Sequence, residues 1–370
     1  MQKTSDIFVS FLRKTGWYRL VVLILTFLLL SCLGGITVYL EYQKQSLPDQ
    51  LAAKRWSQEE DYAHLSYFFS GRLNVAQEQV KSTRYQMEKA LQEAGEQPNN
   101  SLARLYVDTY ASFAKLSLQG EQKSIETDAI GVGGDFFLFH PVELLSGGYF
   151  AENEIRKDVV LIDEDVAWQL FGSSDIVGKD VRINDKLYRV AGVFARPQGE
   201  LEQMAGSSEP TVYLPYESFA AEFPEVPITV YEVVLPNPVK GFAVKLTEPF
   251  FSYEANDMVV VENSDRFSYE AFYRLLQTRA LRSMKVNDIV LPFWENLARV
   301  KEEKLAEVAL MQVCIAAILV VYWIAEIIAF LVKHKPTKEG LGVMAERIQG
   351  WFQKVSANQK GNVKKERKNE

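Results

Sequence analysis

Cysteine is nearly missing from this chain. Two stand among 370 residues, Cys32 and Cys314, and each lies inside a long apolar run, where a small packing residue is all that is required of it. The remainder therefore has no disulfide staple and no C-x-x-C thiol or zinc motif. Histidine is almost as scarce, at His64, His140 and His334, so H-E-x-x-H chemistry is excluded, and no G-x-S-x-G nucleophile turn occurs. Gly172 to Lys179 comes nearest to a phosphate loop. Five residues separate Gly172 from Gly178 where the P-loop needs four, and Asp180 stands where a magnesium-binding hydroxyl is required. A helix stop followed by a turn into a strand accounts for the segment. Asp163, Glu164 and Asp165 read as a helix cap with a favourable first turn rather than as a metal site. No period of 20–50 residues repeats, and only the polar tail is of low complexity. No catalytic residues, metal or cofactor are expected, and no nucleic-acid partner.

What the chain has instead is two long apolar segments near its ends. The first runs from Trp17 to Leu40 with no charge after Arg19; the second runs from Ala306 to Val332 and carries Glu307 and Glu326. Each exceeds the roughly 20 helical residues that cross about 30 Å of hydrocarbon. A cleavable signal is shorter and ends in a small-residue site, which is absent here. Leu29-Leu30-Ser31-Cys32 partly matches a lipoprotein box, but the apolar run continues through Ile36, Val38 and Leu40, as in a retained helix.

The flanking charges set the expected sidedness. Residues 1–20 hold four Lys and Arg against Asp6, a balance of +3, and the tail after Val332 holds ten against four Glu, a balance of +6. With −7 overall, the part between carries −16. Basic flanks stay on the cytoplasmic side, so both termini are expected there and the acidic part outside. The expected organisation is a cytoplasmic N-terminus (1–16), a first span (17–40), an extracytoplasmic domain with stalk helices (41–305), a second span (306–332) and a basic cytoplasmic tail (333–370). The roughly 265 residues outside are enough to bury a core unaided.

Within that domain, Pro48 to Gln97 reads as one or two helices rising from the membrane, with Val80, Met87 and Leu91 recurring among charges. From Ser112 short strands take over: Phe113 to Leu118, Ser124 to Val132, and the buried run Val159 to Ile162. Asp163 caps a helix with Val166, Ala167, Leu170 and Phe171 on its apolar face, and Gly172 ends it. A hairpin turns at Asn184-Asp185. Thr211 to Pro215 and Tyr231 to Leu235 are further strands. Phe272 to Met284 is predicted helical, and from Phe293 a charged helix is predicted to run unbroken into the second span. The fold class is α+β: an extracytoplasmic mixed α/β domain on helical stalks between two transmembrane helices.

Residues 131 to 195 resemble a known family. Gly131-Val132-Gly133-Gly134-Asp135-Phe136-Phe137 is followed by Leu144-Leu145-Ser146-Gly147-Gly148-Tyr149-Phe150 and Val159-Val160-Leu161-Ile162. Next come Ala167-Trp168-Gln169-Leu170-Phe171-Gly172, Ile176-Val177-Gly178-Lys179-Asp180-Val181-Arg182-Ile183 and Tyr188-Arg189-Val190-Ala191-Gly192-Val193. In order and spacing this is similar to the periplasmic core domain of MacB-type ABC transporter permeases. Tyr213-Leu214-Pro215 and the helix–domain–helix layout extend the resemblance to about residues 10–335. It implies a mechanical role, in which cytoplasmic ATP hydrolysis moves membrane helices and stalk helices pass the motion outward. Family permeases have four membrane helices, three of them after the domain. This chain shows one there, a two-helix form lacking the last two.

The function these readings favour is a non-catalytic membrane subunit of a MacB-like ABC transport complex. Its expected partners are a cytoplasmic ABC ATPase subunit, a four-helix permease subunit and the lipid bilayer. A stand-alone membrane-anchored binding or sensor module is the rival, and an exported enzyme lacks a catalytic constellation. Glu326 is the candidate helix–helix contact, because a carboxylate about two turns inside a span should face protein or water; the other reading is that it sits near the interface and snorkels or is protonated. Leu341, Met344, Ala345, Ile348, Trp351, Phe352 and Val355 recur at helical spacing, so Ile348, Trp351 and Phe352 are the candidate contacts to the membrane surface or a partner.

Overall fold

Strand-forming residues fill the middle of the chain in runs long enough to cross a sheet, and short turn signals separate them. The computed structural model describes residues 17–57, 61–98, 104–120, 123–197, 199–251, 253–254, 256–278, 285–286 and 289–333. The chain divides into two compact units: Gly35–Leu310, and Met1–Gly34 taken together with Met311–Glu370.

In the first unit ten strands form one mixed sheet among the described residues. In chain order they are β1 (Tyr62–Phe69), β2 (Val107–Gln119), β3 (Ser124–Gly134), β4 (Leu144–Gly147), β5 (Val159–Asp163), β6 (Asp180–Ile183), β7 (Lys186–Phe194), β8 (Thr211–Pro215), β9 (Val230–Pro236) and β10 (Met258–Glu262). The spatial order is β10-β1-β9-β2-β3-β8-β5-β7-β4, with β6 pairing β2 and β7. The β3–β8 and β5–β7 pairs are parallel and the rest antiparallel.

Several apolar cores lie on this sheet among the described residues, two of them with a helix packed on top. Ala63, Leu65, Tyr67 and Phe69 of β1 pack with Tyr231, Val233 and Leu235 of β9 and with the stripe Val80, Met87 and Leu91 of helix α1 (Gln77–Glu93). Further along, Val160, Ile162, Val190 and Val212 pack with Val166, Ala167 and Leu170 of helix α2 (Glu164–Phe171). The cap anticipated for α2 is present: Asp163 Oδ1 accepts from the Val166 N–H at 2.8 Å, and Gly172 ends the helix in the left-handed region at φ +68°. The Asn184-Asp185 turn is present too, with Asn184 at φ +51° between β6 and β7.

Three sequence expectations need correcting. The stretch from Pro48 to Gln97 holds α1, but it also holds β1, buried on both faces between β9 and β10. Met258–Glu262, not anticipated, is a strand at the sheet edge. The helix expected over Phe272–Met284 is α3, Tyr269–Thr278; residues 279–284 lie outside the described residues.

Two long helices reach into the second unit: α4, Trp17–Gln45, and α5, Phe293–Lys333, of 41 residues. Both are long and apolar enough to cross a membrane. Within that unit the shielded positions of α4 include Val22, Thr26, Leu29 and Leu33, and those of α5 include Gln312, Ala316, Leu319, Tyr322 and Glu326. Spacings of three and four put each set on one helix face. Gln312 Nε2 donates to the Leu33 carbonyl at 3.3 Å, so these faces meet there.

Candidate functional site

The period of two that buries Leu65 and Tyr67 in one core turns His64 and Ser66 to the opposite side of the sheet. Register sets Ser66 opposite Glu232 of β9. All three side chains are buried. A carboxylate in such a place is costly unless its oxygens are hydrogen-bonded and its charge is paired. Glu232 meets both conditions. Ser66 Oγ donates to Oε1, His140 Nε2 bonds to Oε2, and His64 Nε2 lies 3.5 Å from Oε1. The far side of His140 is occupied as well, with Nδ1 2.8 Å from Asp49 Oδ1. Asp49 sits in the single turn Pro48–Gln50 that follows α4.

The polar chain also runs the other way. Asn263 Nδ2 donates to Ser66 Oγ at 2.7 Å, and Asn263 Oδ1 accepts from Arg266 Nη1 at 3.3 Å. The Arg266 guanidinium forks onto Glu295, with Nη1 2.6 Å from Oε2 and Nη2 2.9 Å from Oε1, while its Nε reaches Glu302 Oε2 at 2.8 Å. Glu295 accepts from Arg299 Nε at 2.7 Å. Glu295, Arg299 and Glu302 share one face of α5 because they are four and three residues apart. Arg266 is 4% exposed and Glu295 1%. Burial pulls the Arg266 guanidinium down, and Glu295 with Glu302 outweighs it, holding Arg266 above its usual value. Burial pushes the Glu295 carboxyl up, and Arg266 outweighs that in turn, holding it below the usual range. Such fork-on-fork pairs fix direction as well as distance.

Apolar packing reinforces the junction. Leu47, just past α4, packs with Leu297 of α5 and with Ala205. Lys301 Nζ donates to Ser46 Oγ at 3.0 Å. The base of the domain, where the chain arrives from α4 and leaves along α5, is thus tied together by one buried polar run from Asp49 to Glu302. It holds charge and position, with the Ser66 hydroxyl buried between Glu232 and Asn263. Among the described residues no group of three or more His, Cys, Asp or Glu is arranged to hold a metal ion.

Of the candidates taken from the sequence, Glu326 is half-shielded and accepts a hydrogen bond from Tyr322 Oη, one turn earlier, at 2.9 Å. Ile348, Trp351 and Phe352 lie outside the described residues. The Gly172–Lys179 segment is a helix stop and a turn, with Gly178 also left-handed at φ +83°. The buried run was missed, although two signals pointed to it. Both domain histidines belong to it or lie against it, and Glu232 stands amid the apolar strand Val230–Leu235, where a charge demands a partner.

Comparison with known proteins agrees with this architecture. The model of the MacB-like periplasmic core domain family matches residues 33–250, more than half of the chain. The chain belongs to the MacB-like periplasmic core domain family. Among curated relatives, an "Uncharacterized ABC transporter permease YvrN" of Bacillus subtilis is 28% identical over 88 residues, 23% of this chain and 22% of that protein. A "Macrolide export ATP-binding/permease protein MacB" of Chromobacterium violaceum is 26% identical over 120 residues, 31% of this chain and 18% of that protein. The chain therefore spans less than a quarter of the length of these relatives. Solved structures that share similarity include the periplasmic region of MacB from Actinobacillus actinomycetemcomitans, at 16% identity and a TM-score of 0.41, covering 60% of this chain and 94% of that one. The extracellular domain of the ABC-type transporter YknZ from Gram-positive bacteria follows at 13% identity and a TM-score of 0.36, covering 54% and 99%. The chain thus carries a MacB-like periplasmic core domain together with two helices long and apolar enough to cross a membrane.

Proposed function

We propose that this MacB-like chain is a non-catalytic permease-type subunit that couples a separate cytoplasmic ATPase to an extracytoplasmic domain handling substrate. It spans the membrane twice, with both termini cytoplasmic and residues 41–305 outside, as the +3 and +6 flanks favour. The ATPase chain and a four-helix permease are its partners in the complex. The observation that carries this reading is α5. One unbroken helix of 41 residues bears both the Arg266-clamped face at Glu295, Arg299 and Glu302 and the apolar run that follows. A helix gripped by buried ion pairs is a lever, because moving it requires either carrying the gripping loop along or breaking the pairs.

The test is purification of the intact chain in gentle detergent or polymer discs, with the bound chains identified by mass spectrometry. An ATPase subunit and a four-helix permease at stoichiometric levels support the proposal. Recovery of the chain alone, from membranes in which those subunits are present, overturns it in favour of a stand-alone binding or sensor module.

A further inference from the structure

His140 is the junction of three elements. Its Nδ1 meets Asp49 in the turn after α4, its Nε2 meets Glu232 on β9, and its ring lies against the indole of Trp294 in the first turn of α5, with ring centroids 4.2 Å apart. The ring is 3% exposed. Two carboxylates accept and cannot donate when ionised, so the imidazole must donate from both nitrogens, which only the cation does. A cation against an indole face gains further from the ring quadrupole. Trp294 is itself buried, its Nε1 has no acceptor among the described residues, and it packs on His140 and on Phe113, Phe136 and Phe293.

We propose that protonated His140 is a latch that ties the turn after α4 to the sheet beside the base of α5, and that losing its proton releases that turn. Deprotonation leaves one ring nitrogen as an acceptor facing a carboxylate, so one of the two bridges must break. Among the described residues, the turn Pro48–Gln50 brings Asp49 and β9 brings Glu232 to this ring, His64 of β1 stands beside Glu232, Tyr213 of β8 lies near Asp49, and α5 lays the uncharged indole of Trp294 against it. Arg55, in the short helix Ala52–Trp56, lies close enough to act on Asp49. Its guanidinium is pinned by the carbonyls of Pro48, Leu138 and Phe139, beside His140. Burial lowers the His140 pKa, and Glu232 with Asp49 outweighs burial, raising it from 6.5 to about 9. Because the folded value is the higher one, the latch contributes fully below pH 6.5 and is lost as pH rises through about 9.

The experiment uses the full chain in lipid discs, labelled with 15N-histidine. His140→Gln identifies the resonances of His140. The latch predicts a ring protonated at pH 7.5 that titrates near pH 9; a neutral His140 at pH 7.5 overturns it. The second readout is tryptic cleavage after Lys54 and Arg55, followed peptide by peptide, with cleavage after exposed Lys179 as the internal reference. The expected result is a rise of about tenfold at Lys54–Arg55 relative to Lys179 between pH 7.5 and 9.5. Asp49→Ala removes the acceptor of the Nδ1 bond and keeps the buried His140–Glu232 pair, so the chain remains folded, and it should show the high cleavage already at pH 7.5. No rise, or an equal rise at both sites, overturns the proposal.

Discussion

Around β3, β8, β5 and β7 the one charged side chain fully buried among the described residues is Asp163, and it serves backbone amides, accepting from Val166 and from Thr211 at 2.7 Å. Around β10, β1, β9 and β2 the buried set includes Asp108, Glu232 and Arg266, joined by His140 before β4 and by Glu295 and Glu302 of α5. One sheet therefore carries two kinds of interior. The first is close-packed aliphatic, where any hydrophobic residue of the right volume keeps the fold. The second is built from charges that are satisfied only in one arrangement, so it specifies position at the cost of desolvation. The charged half is the one from which both long helices depart.

The largest expected effect is on the charged side. Arg266→Met takes the shared guanidinium away from Glu295 and Glu302, leaving Glu295 to Arg299, and should cost about 3 kcal/mol in the local seating of α5, read as opening of residues 293–302 rather than as global unfolding. Adding Glu295→Gln should recover part of that loss, since it removes one of the two carboxylates that lost the guanidinium. On the aliphatic side Ile162→Ala, at a fully buried position, should cost about 2–4 kcal/mol by lost contacts and a cavity. That cost should be the same at pH 6.5 and pH 9.

The third effect separates the two halves by pH. His140 is raised from 6.5 to about 9, so wild-type stability should fall across that window, on the order of 2–3 kcal/mol, and His140→Gln should flatten the slope. The partner carboxylate works at the opposite end. Burial raises the Glu232 carboxyl and the His140 cation outweighs burial, holding it below the usual range, so its contribution is present above about pH 4.5 and is lost on further acidification.

The smallest effect lies outside the sheet. Glu326 accepts from Tyr322 on its own helix and shares a face with Gln312 and Leu319. Glu326→Leu should weaken recovery of the proposed complex by an amount equivalent to about 1–2 kcal/mol while the domain remains folded. Unchanged recovery would place the carboxylate's role in the Tyr322 bond alone.

The same contrast explains what was legible in the sequence. The aliphatic half announced itself: Val159 to Ile162, the Asp163 cap, the Gly172 stop and the Asn184-Asp185 turn are local signals, and local signals survive in one dimension. The glycines of Gly131 to Gly134 belong with them. At Gly133 a Cβ would lie 2.1 Å from the Tyr110 ring, and Gly134 is left-handed at φ +69° against the Asp108 carbonyl, so neither admits a side chain. The charged half was not legible because its links join residues far apart in sequence, such as Ser66 with Glu232 and Arg266 with Glu302. Strand β1 was hidden for a related reason. His64 and Ser66 made Ala63 to Phe69 look half-polar and part of a helical stretch, whereas their polarity is spent on buried partners. Glu295, Arg299 and Glu302 read as an ordinary solvated helix face until Arg266 is placed against them.

Amide hydrogen exchange of the intact chain in lipid discs tests the central claim, that buried charge grips the base of α5. In Arg266→Met the account predicts exchange over residues 293–302 faster by about a hundredfold, the equivalent of ~2.7 kcal/mol, with residues 159–163 of the aliphatic half within about threefold of wild type. Equal acceleration in both segments, or none at 293–302, would contradict it.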